Sequence, residues 1–405
     1  MSTLDGSSLL NAKSPFEVES WLINALSMTR VETVVLPNLA RQQIEIAEKC
    51  VAAHALSTVL LRNPLAAILL GEAHAQPGEI LSQVASDYFG YCALRHAGAV
   101  QLDNGTFVPA EVVRAALEPV ERAMLIFRPE RFISAANASA CFLSCAPGGA
   151  TQYLPRLYSS SRLRPPTLNP VDYFTSFVRT TLAALFSAES LELAPGLPEI
   201  VGSLAFELFE NTHLHARANR ALPIAGERGL RSLVMRKLTV ARPTTAPSSI
   251  AGFDAADQHV LNEYFASYGN PEKISLLELM VTDCGEGLAK HFSKELGDIS
   301  DPEAQLDVVR RCFLKHASSR SGNETAGVGL FRVARALRRS DAQLRIRTGN
   351  LSLITRFKQG SVERPANELF FVGHRYGKDE RKQLAEVVGA SFSLLMPLVP
   401  AKGRE

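Results

Sequence analysis

Apolar positions along the 405-residue chain recur with two different periods. From Pro15 to about Gly148 they come mostly three and four apart, which predicts helices over 16–26, 39–61, 77–96 and 109–126, separated by short apolar pieces such as VETVVLP. Residues 1–150 are therefore expected to form an α-rich N-terminal domain. The stretch from Cys145 to Pro170 concentrates Pro, Gly and Ser, a composition in which a helix cannot persist, and 151–169 is read as a linker. Beyond it a helix is expected from Pro170 to Ser187, and a second opens at Pro198, in the first turn where a missing N–H costs nothing, and runs to about Arg220. Period-two runs then dominate: RSLVMRKLTVAR, ISLLELMVTD, the Gly-Asn hairpin LRIRTGNLSLITRF and the closing SFSLLMPL read as strands, with helices near 305–314 and 329–339 between them. The expected architecture of 170–405 is α/β, with helices on one face of a mixed sheet.

Composition changes this picture little. Hydrophobic residues at 46% and charged residues at 21% suit a folded chain of two domains. A formal net charge of +2 carries no nucleic-acid signature, and the arginines of the last third, Arg332 among them, are read as a solvated face, with an anionic partner or nucleotide phosphates as the alternative. The N-terminal MSTLDGSSLL lacks a basic segment followed by an apolar core, and the apolar stretch 55–75 is interrupted by Arg62, Asn63 and Pro64. A cytoplasmic protein without membrane contact is expected. Six cysteines show no CxxC pair, and Cys50 with His54 is read as a packed thiol and imidazole, not as a metal pair.

Three segments carry candidate chemistry. In FELFENTHLHA, Glu207, Asn211 and His215 stand four apart and so project from one face of a helix otherwise lined by leucine. In VTDCGEGLA, an apolar strand ends in Asp283, placed to accept from an exocyclic amine such as that of adenine, and Gly285 and Gly287 let a flat ligand approach the main chain. In SSRSGNETAGVGLFRVARAL, Gly327 and Gly329 precede a helix whose first N–H groups suit phosphate, with Ser319 and Arg320 as further donors. Each alone reads as readily as a wet helix face, an Asp-Gly turn or a flexible loop.

Taken in order, Glu-x-x-x-Asn, Asp-x-Gly-x-Gly and Gly-x-Gly-Leu resemble the N box and the two glycine boxes of the GHKL ATPase superfamily, the gyrase, histidine-kinase and MutL-like ATPases. The likeness covers roughly Pro170 to Pro397. It implies an α+β two-layer ATP-binding domain over 170–405 with ATP and Mg²⁺ as ligands. Asn211 would ligate the magnesium, Glu207 would serve as general base, and Asp283, with Gly285 and Gly287, would read adenine. Gly327, Gly329 and Leu330 would shape the phosphate side, and His215 would take a polar role near the phosphates. One departure is Ala390, where many members carry threonine two residues before the aromatic of the closing strand; either the adjacent Ser391 substitutes or that contact is lost.

None of His54, His74 or His96 is followed by an acidic residue, unlike the phosphoaccepting histidine of sensor kinases, and a transducer domain of the gyrase or MutL kind is not expected. The expected function is a nucleotide-dependent switch that hydrolyses ATP slowly and signals to a protein partner through its N-terminal domain. A protein kinase of the anti-sigma-factor type and a non-catalytic ATP-sensing module are the alternatives, and a homodimer is left open.

Overall fold

The computed structural model describes residues 2–12, 15–36, 48–71, 76–127, 129, 140–159, 166–188, 191, 196–216, 219–242, 262–292, 301–314, 329–357, 372–373 and 384–398. Among these the chain is a mixed α/β protein with two principal sheets.

The first sheet belongs to the N-terminal third. Strands β1 (Thr3–Asp5), β2 (Thr33–Leu36), β3 (Ala67–Leu70) and β4 (Ala99–Leu102) run parallel, in sequence order, and β5 (Phe107–Val108) closes the edge antiparallel to β4. The helices Pro15–Ser27, Glu48–Arg62, Pro77–Ser86 and Tyr88–His96 lie between the parallel strands in the chain, and Ala110–Ile126 follows β5. The expected α-rich domain thus holds a sheet, and only the VETVVLP piece anticipated it. Four-residue apolar strands buried between helices have no alternation to read, and a run such as AILL is indistinguishable from part of a helix. The run expected as one helix over 77–96 is two, broken at Asp87, which adopts an extended conformation and caps the second helix by accepting from the N–H of Phe89 at 3.0 Å.

The second sheet has seven strands. β6 (Ala140–Cys145), β9 (Arg231–Ala241), β10 (Lys273–Asp283), β11 (Gln343–Gly349), β12 (Leu351–Arg356), β13 (Val372–Gly373) and β14 (Val387–Pro397) lie in the order β13-β12-β11-β14-β10-β9-β6, with every neighbouring pair antiparallel; the short β7 (Tyr158–Ser159) and β8 (Thr167–Leu168) pair only with each other. The expected hairpin is present, turning at Gly349 and Asn350 between Thr348 and Leu351. β6 lies before the segment read as a linker, yet it pairs with β9, so the C-terminal sheet begins at Ala140.

The sheet is antiparallel and covered on both faces, where a mixed sheet covered on one face was expected. Side chains alternate along a strand, so the registers sort them. Leu277, Leu279, Val281 and Asp283 share a face with Ala390, Phe392, Leu394 and Met396 of β14 and with Leu344, Ile346 and Thr348 of β11. This largely apolar face receives the helices Val171–Leu185 and Leu197–His215; Lys237, also on it, lies 5.5 Å over the Phe186 ring. The opposite face holds polar residues that are nonetheless buried: Ser144 and Ser232 bond at 2.7 Å, and Arg236 lies 3.5 Å from Glu278, which also accepts from the half-buried Ser393 at 2.8 Å. Pairing is what lets these polar groups be buried.

The N-terminal third covers part of that second face. Tyr88 and Tyr91 pack on Phe142 of β6 with ring centroids 5.5 and 5.6 Å apart, and Glu19 forms a buried bidentate ion pair with Arg347 at 2.5 and 3.0 Å. One apolar core accordingly runs from Leu4 to Leu398. No helix among the described residues is long and apolar enough to cross a membrane.

Candidate functional site

The helix Leu197–His215, begun by Pro198 and ended at Ala216, organises the site. Its length follows from leucine, alanine and phenylalanine at positions that bury Val201, Leu204, Ala205, Leu208 and Phe209 against the sheet and the preceding helix. Glu207 and Asn211, one turn apart, emerge on a side that meets the start of the helix Gly329–Arg339. A Cβ placed on Gly329 would lie 3.1 Å from Oε2 of Glu207 and 3.8 Å from each polar atom of Asn211, so glycine lets that helix start touch both side chains. Glu207 is buried and accepts from Nη1 of Arg332 at 2.9 Å. The Nδ2 of Asn211 is shielded from solvent and has no hydrogen-bond partner among the described residues.

The second group lies at the end of the same helix. Asp283 ends β10 directly opposite Ala390 of β14, which is itself opposite Thr348 of β11. The carboxylate Oδ1 accepts from the N–H of Gly285 at 2.8 Å, closing the turn. Burial pushes the Asp283 carboxyl up to about 6, while the backbone N–H groups of Gly285 and Ala390 pull the other way. Two glycines are required here. Gly389 has φ +80°, and a Cβ on it would fall 2.0 Å from the carbonyl oxygen of Asp283; Gly287 has φ +81°, with Oγ1 of Thr348 2.8 Å from a Cβ there. Thr348 Oγ1 also accepts from the N–H of Leu288 at 2.9 Å.

The two groups are linked by the helix itself. A Cβ on Gly285 would come within 2.7 Å of the Cα of Ala216, the residue that ends the helix. Glu207 and Ala216 are nine residues apart, a span of roughly 14 Å at the helical rise. Glu207, Asn211 and Gly329 therefore cluster at one point along the helix, and Asp283, Gly285 and Gly287 at its end. His215 belongs to the second group: its ring is 4.1 Å from that of His291, whose Nδ1 lies 3.9 Å from Oε2 of Glu286. Leu330 is buried in the core, so its part is packing. Ser319, Arg320 and Gly327 lie outside the described residues.

Three residues were not singled out from sequence, and a fourth, Arg332, stood there only among the arginines of the last third. Arg332 pairs with Glu207, and Thr348 faces the Asp283 turn. Asn219 braces that turn by donating to the carbonyl of Gly285 at 2.7 Å, and Gly389 admits it. Only the register brings Thr348 beside Ala390, and no local motif marks it. Ser391, by alternation, points to the opposite face from Ala390 and Asp283 and is not a substitute on the site face.

Among the described residues no group of three or more His, Cys, Asp and Glu side chains is placed to hold a metal ion. A hard cation held there would take its oxygens chiefly from a ligand and water, with the amide of Asn211 as one protein donor; magnesium, which retains waters and is commonly bound by one or two protein oxygens plus phosphate, fits such a set. No family model, curated protein or solved structure matches the chain.

Proposed function

We propose that the C-terminal part of the chain is a GHKL-type ATP-binding unit, with the nucleotide lying along the second half of the helix Leu197–His215. The adenine amine donates to the carboxylate of Asp283, and the Gly285–Gly287 turn provides a flat approach to the backbone. The triphosphate extends toward Gly329, where the N–H groups of a helix start favour anions. Mg²⁺ arriving with the nucleotide would supply positive charge that offsets the negative charge of the phosphates. Asn211 offers that ion its Oδ1. Glu207 orients a water and takes its proton as the water oxygen bonds to the terminal phosphorus and the bond to the ADP oxygen breaks, leaving ADP and inorganic phosphate.

What supports this reading is one relationship: two sequence-distant segments, each weak alone, meet the helix that carries the third at two points roughly 14 Å apart. The N-terminal α/β unit is the element that would report the nucleotide state, since it contacts β11 and β14 beside the Asp283 turn.

Calorimetric titration of the full chain with Mg-ATP, together with a phosphate-release assay, tests the proposal. Binding that is lost in Asn211→Ala and Asp283→Ala, and turnover that is lost in Glu207→Ala with binding kept, are expected. Absence of nucleotide binding to the wild-type chain overturns it. Labelling of a protein partner from ATP without free phosphate would move the assignment from hydrolysis to phosphoryl transfer.

A further inference from the structure

The ion pair at Glu207 is unequal. The Glu207 side chain is 6% exposed and the Arg332 side chain 56% exposed, so the carboxylate depends on the pair far more than the guanidinium does. Arg332 leaves its position at little cost if another anion takes it, because it is already largely solvated. Its place is also specific. It sits in the first turn of the helix that begins at Gly329, the residue whose Cα faces Glu207 and Asn211 together. While Arg332 pairs with Oε1, its positive charge holds the carboxylate toward the guanidinium, which makes Glu207 a poorer base for a water.

We propose that Arg332 reads the terminal phosphate: without nucleotide it is parked on Glu207, and the terminal phosphate of ATP draws it away, freeing Glu207 to face the attacking water. The inference rests on the ATP reading above and adds to it the residue that distinguishes ATP from ADP. A terminal phosphate brings more negative charge and more acceptor oxygens than a single carboxylate, and a guanidinium fork matches them in a bidentate way. ADP presents no such group, so with ADP bound the pair with Glu207 stays closed and the base stays engaged. Discrimination and catalytic release are then one exchange of partners.

The test compares the affinities of the full chain for Mg-ADP and for the non-hydrolysable β,γ-imido analogue of Mg-ATP, in the wild type, Arg332→Met, Arg332→Lys and Glu207→Gln. The wild type is expected to favour the triphosphate by about tenfold or more, the scale of one charge-assisted bidentate contact. Arg332→Met should bind ADP within about twofold of wild type and lose most of that preference, and Arg332→Lys should keep part of it. Glu207→Gln, in which the arginine is no longer held by a charge, should bind the triphosphate more tightly with ADP affinity unchanged, and the gain should vanish when Arg332→Met is added. An unchanged triphosphate-to-diphosphate ratio in Arg332→Met overturns the role of Arg332 while leaving the ATP site intact. Should Arg332→Met fail to fold, an unchanged triphosphate affinity in Glu207→Gln does the same. A wild-type chain that binds neither nucleotide overturns the ATP reading itself.

Discussion

Nε2 of His54 donates a 2.8 Å hydrogen bond to the carbonyl of Val388, 334 residues later in the chain. Val388 precedes the glycine that packs on Asp283, and its own N–H donates to Oγ1 of Thr58 at 3.2 Å, so the helix Glu48–Arg62 holds both backbone polar groups of Val388 in β14 at the edge of the site. The bond requires a proton on Nε2 and a neutral ring suffices, which is the form burial favours.

Burial lowers the His54 pKa to about 4, and that of His96 to about 3. The unfolded chain takes up these protons below the ordinary histidine value of about 6.5, whereas the folded chain does not until lower pH. Stability from each histidine is therefore complete above about pH 6.5 and lost as pH falls toward the folded value, up to roughly 3 kcal/mol for His54. Urea denaturation of the wild type and His54→Gln between pH 7 and 4 checks this; the variant should show a shallower loss with acid, and an identical slope contradicts it.

Asp283 has the opposite sign. Its carboxyl is raised to about 6 by burial, so the folded chain holds a proton that the unfolded chain has released, and the contribution to stability is present below pH 4 and lost as pH rises through 6. Asp283→Asn, which can still accept from Gly285, should make the nucleotide-free protein more stable at pH 7 by roughly 1–3 kcal/mol. It should also remove that part of the pH slope and weaken ATP binding. Thermal unfolding and nucleotide titration of the same variant measure both; a less stable variant at pH 7 would show that burial of the carboxylate is not penalised.

The pair Glu19–Arg347 joins the N-terminal third to β11, and Arg347 also donates to the carbonyls of Gly349, Leu351 and Ala385. Glu19→Gln leaves a buried guanidinium without its counter-ion and should cost roughly 3–5 kcal/mol, while Glu19→Leu with Arg347→Met should recover a substantial part. Because Thr348 follows Arg347 and holds the N–H of Leu288, the single variant should also weaken nucleotide binding. Urea denaturation of the two variants, read beside their ATP affinity, decides; equal stability of Glu19→Gln and wild type would show that the pair contributes nothing.

Gly389→Ala would set a methyl 2.0 Å from the carbonyl oxygen of Asp283, at a φ of +80°. Backbone must move, and a loss of roughly 2–4 kcal/mol is expected. Gly329→Ala, whose Cβ would stand 3.1 Å from a side-chain oxygen, should be much milder in thermal unfolding. Comparable melting points for the two variants would refute the distinction.

Most helices, the long strands and the hairpin turning at Gly349 and Asn350 were legible because each is set by local periodicity, proline placement or turn chemistry. The strands β1 to β4 were largely not, because three- or four-residue apolar runs carry no period of their own and become strands only when parallel neighbours pair with them. Cover on the back face of the large sheet was not expected, because Ser144, Arg236 and Glu278 are polar and only bonding to partners makes their burial tolerable.

The sequence by itself determined which residues stand on one helical face, Glu207 with Asn211, and which strand ends in Asp283 before two glycines, because spacing of three, four or two residues decides such matters within one element. Tertiary structure alone decided that Gly329 closes on Glu207 and Asn211, that Arg332 occupies the carboxylate and that Thr348 stands beside Ala390. Those contacts join residues far apart in the chain, and their partners are chosen by sheet register and helix packing, which no local spacing encodes.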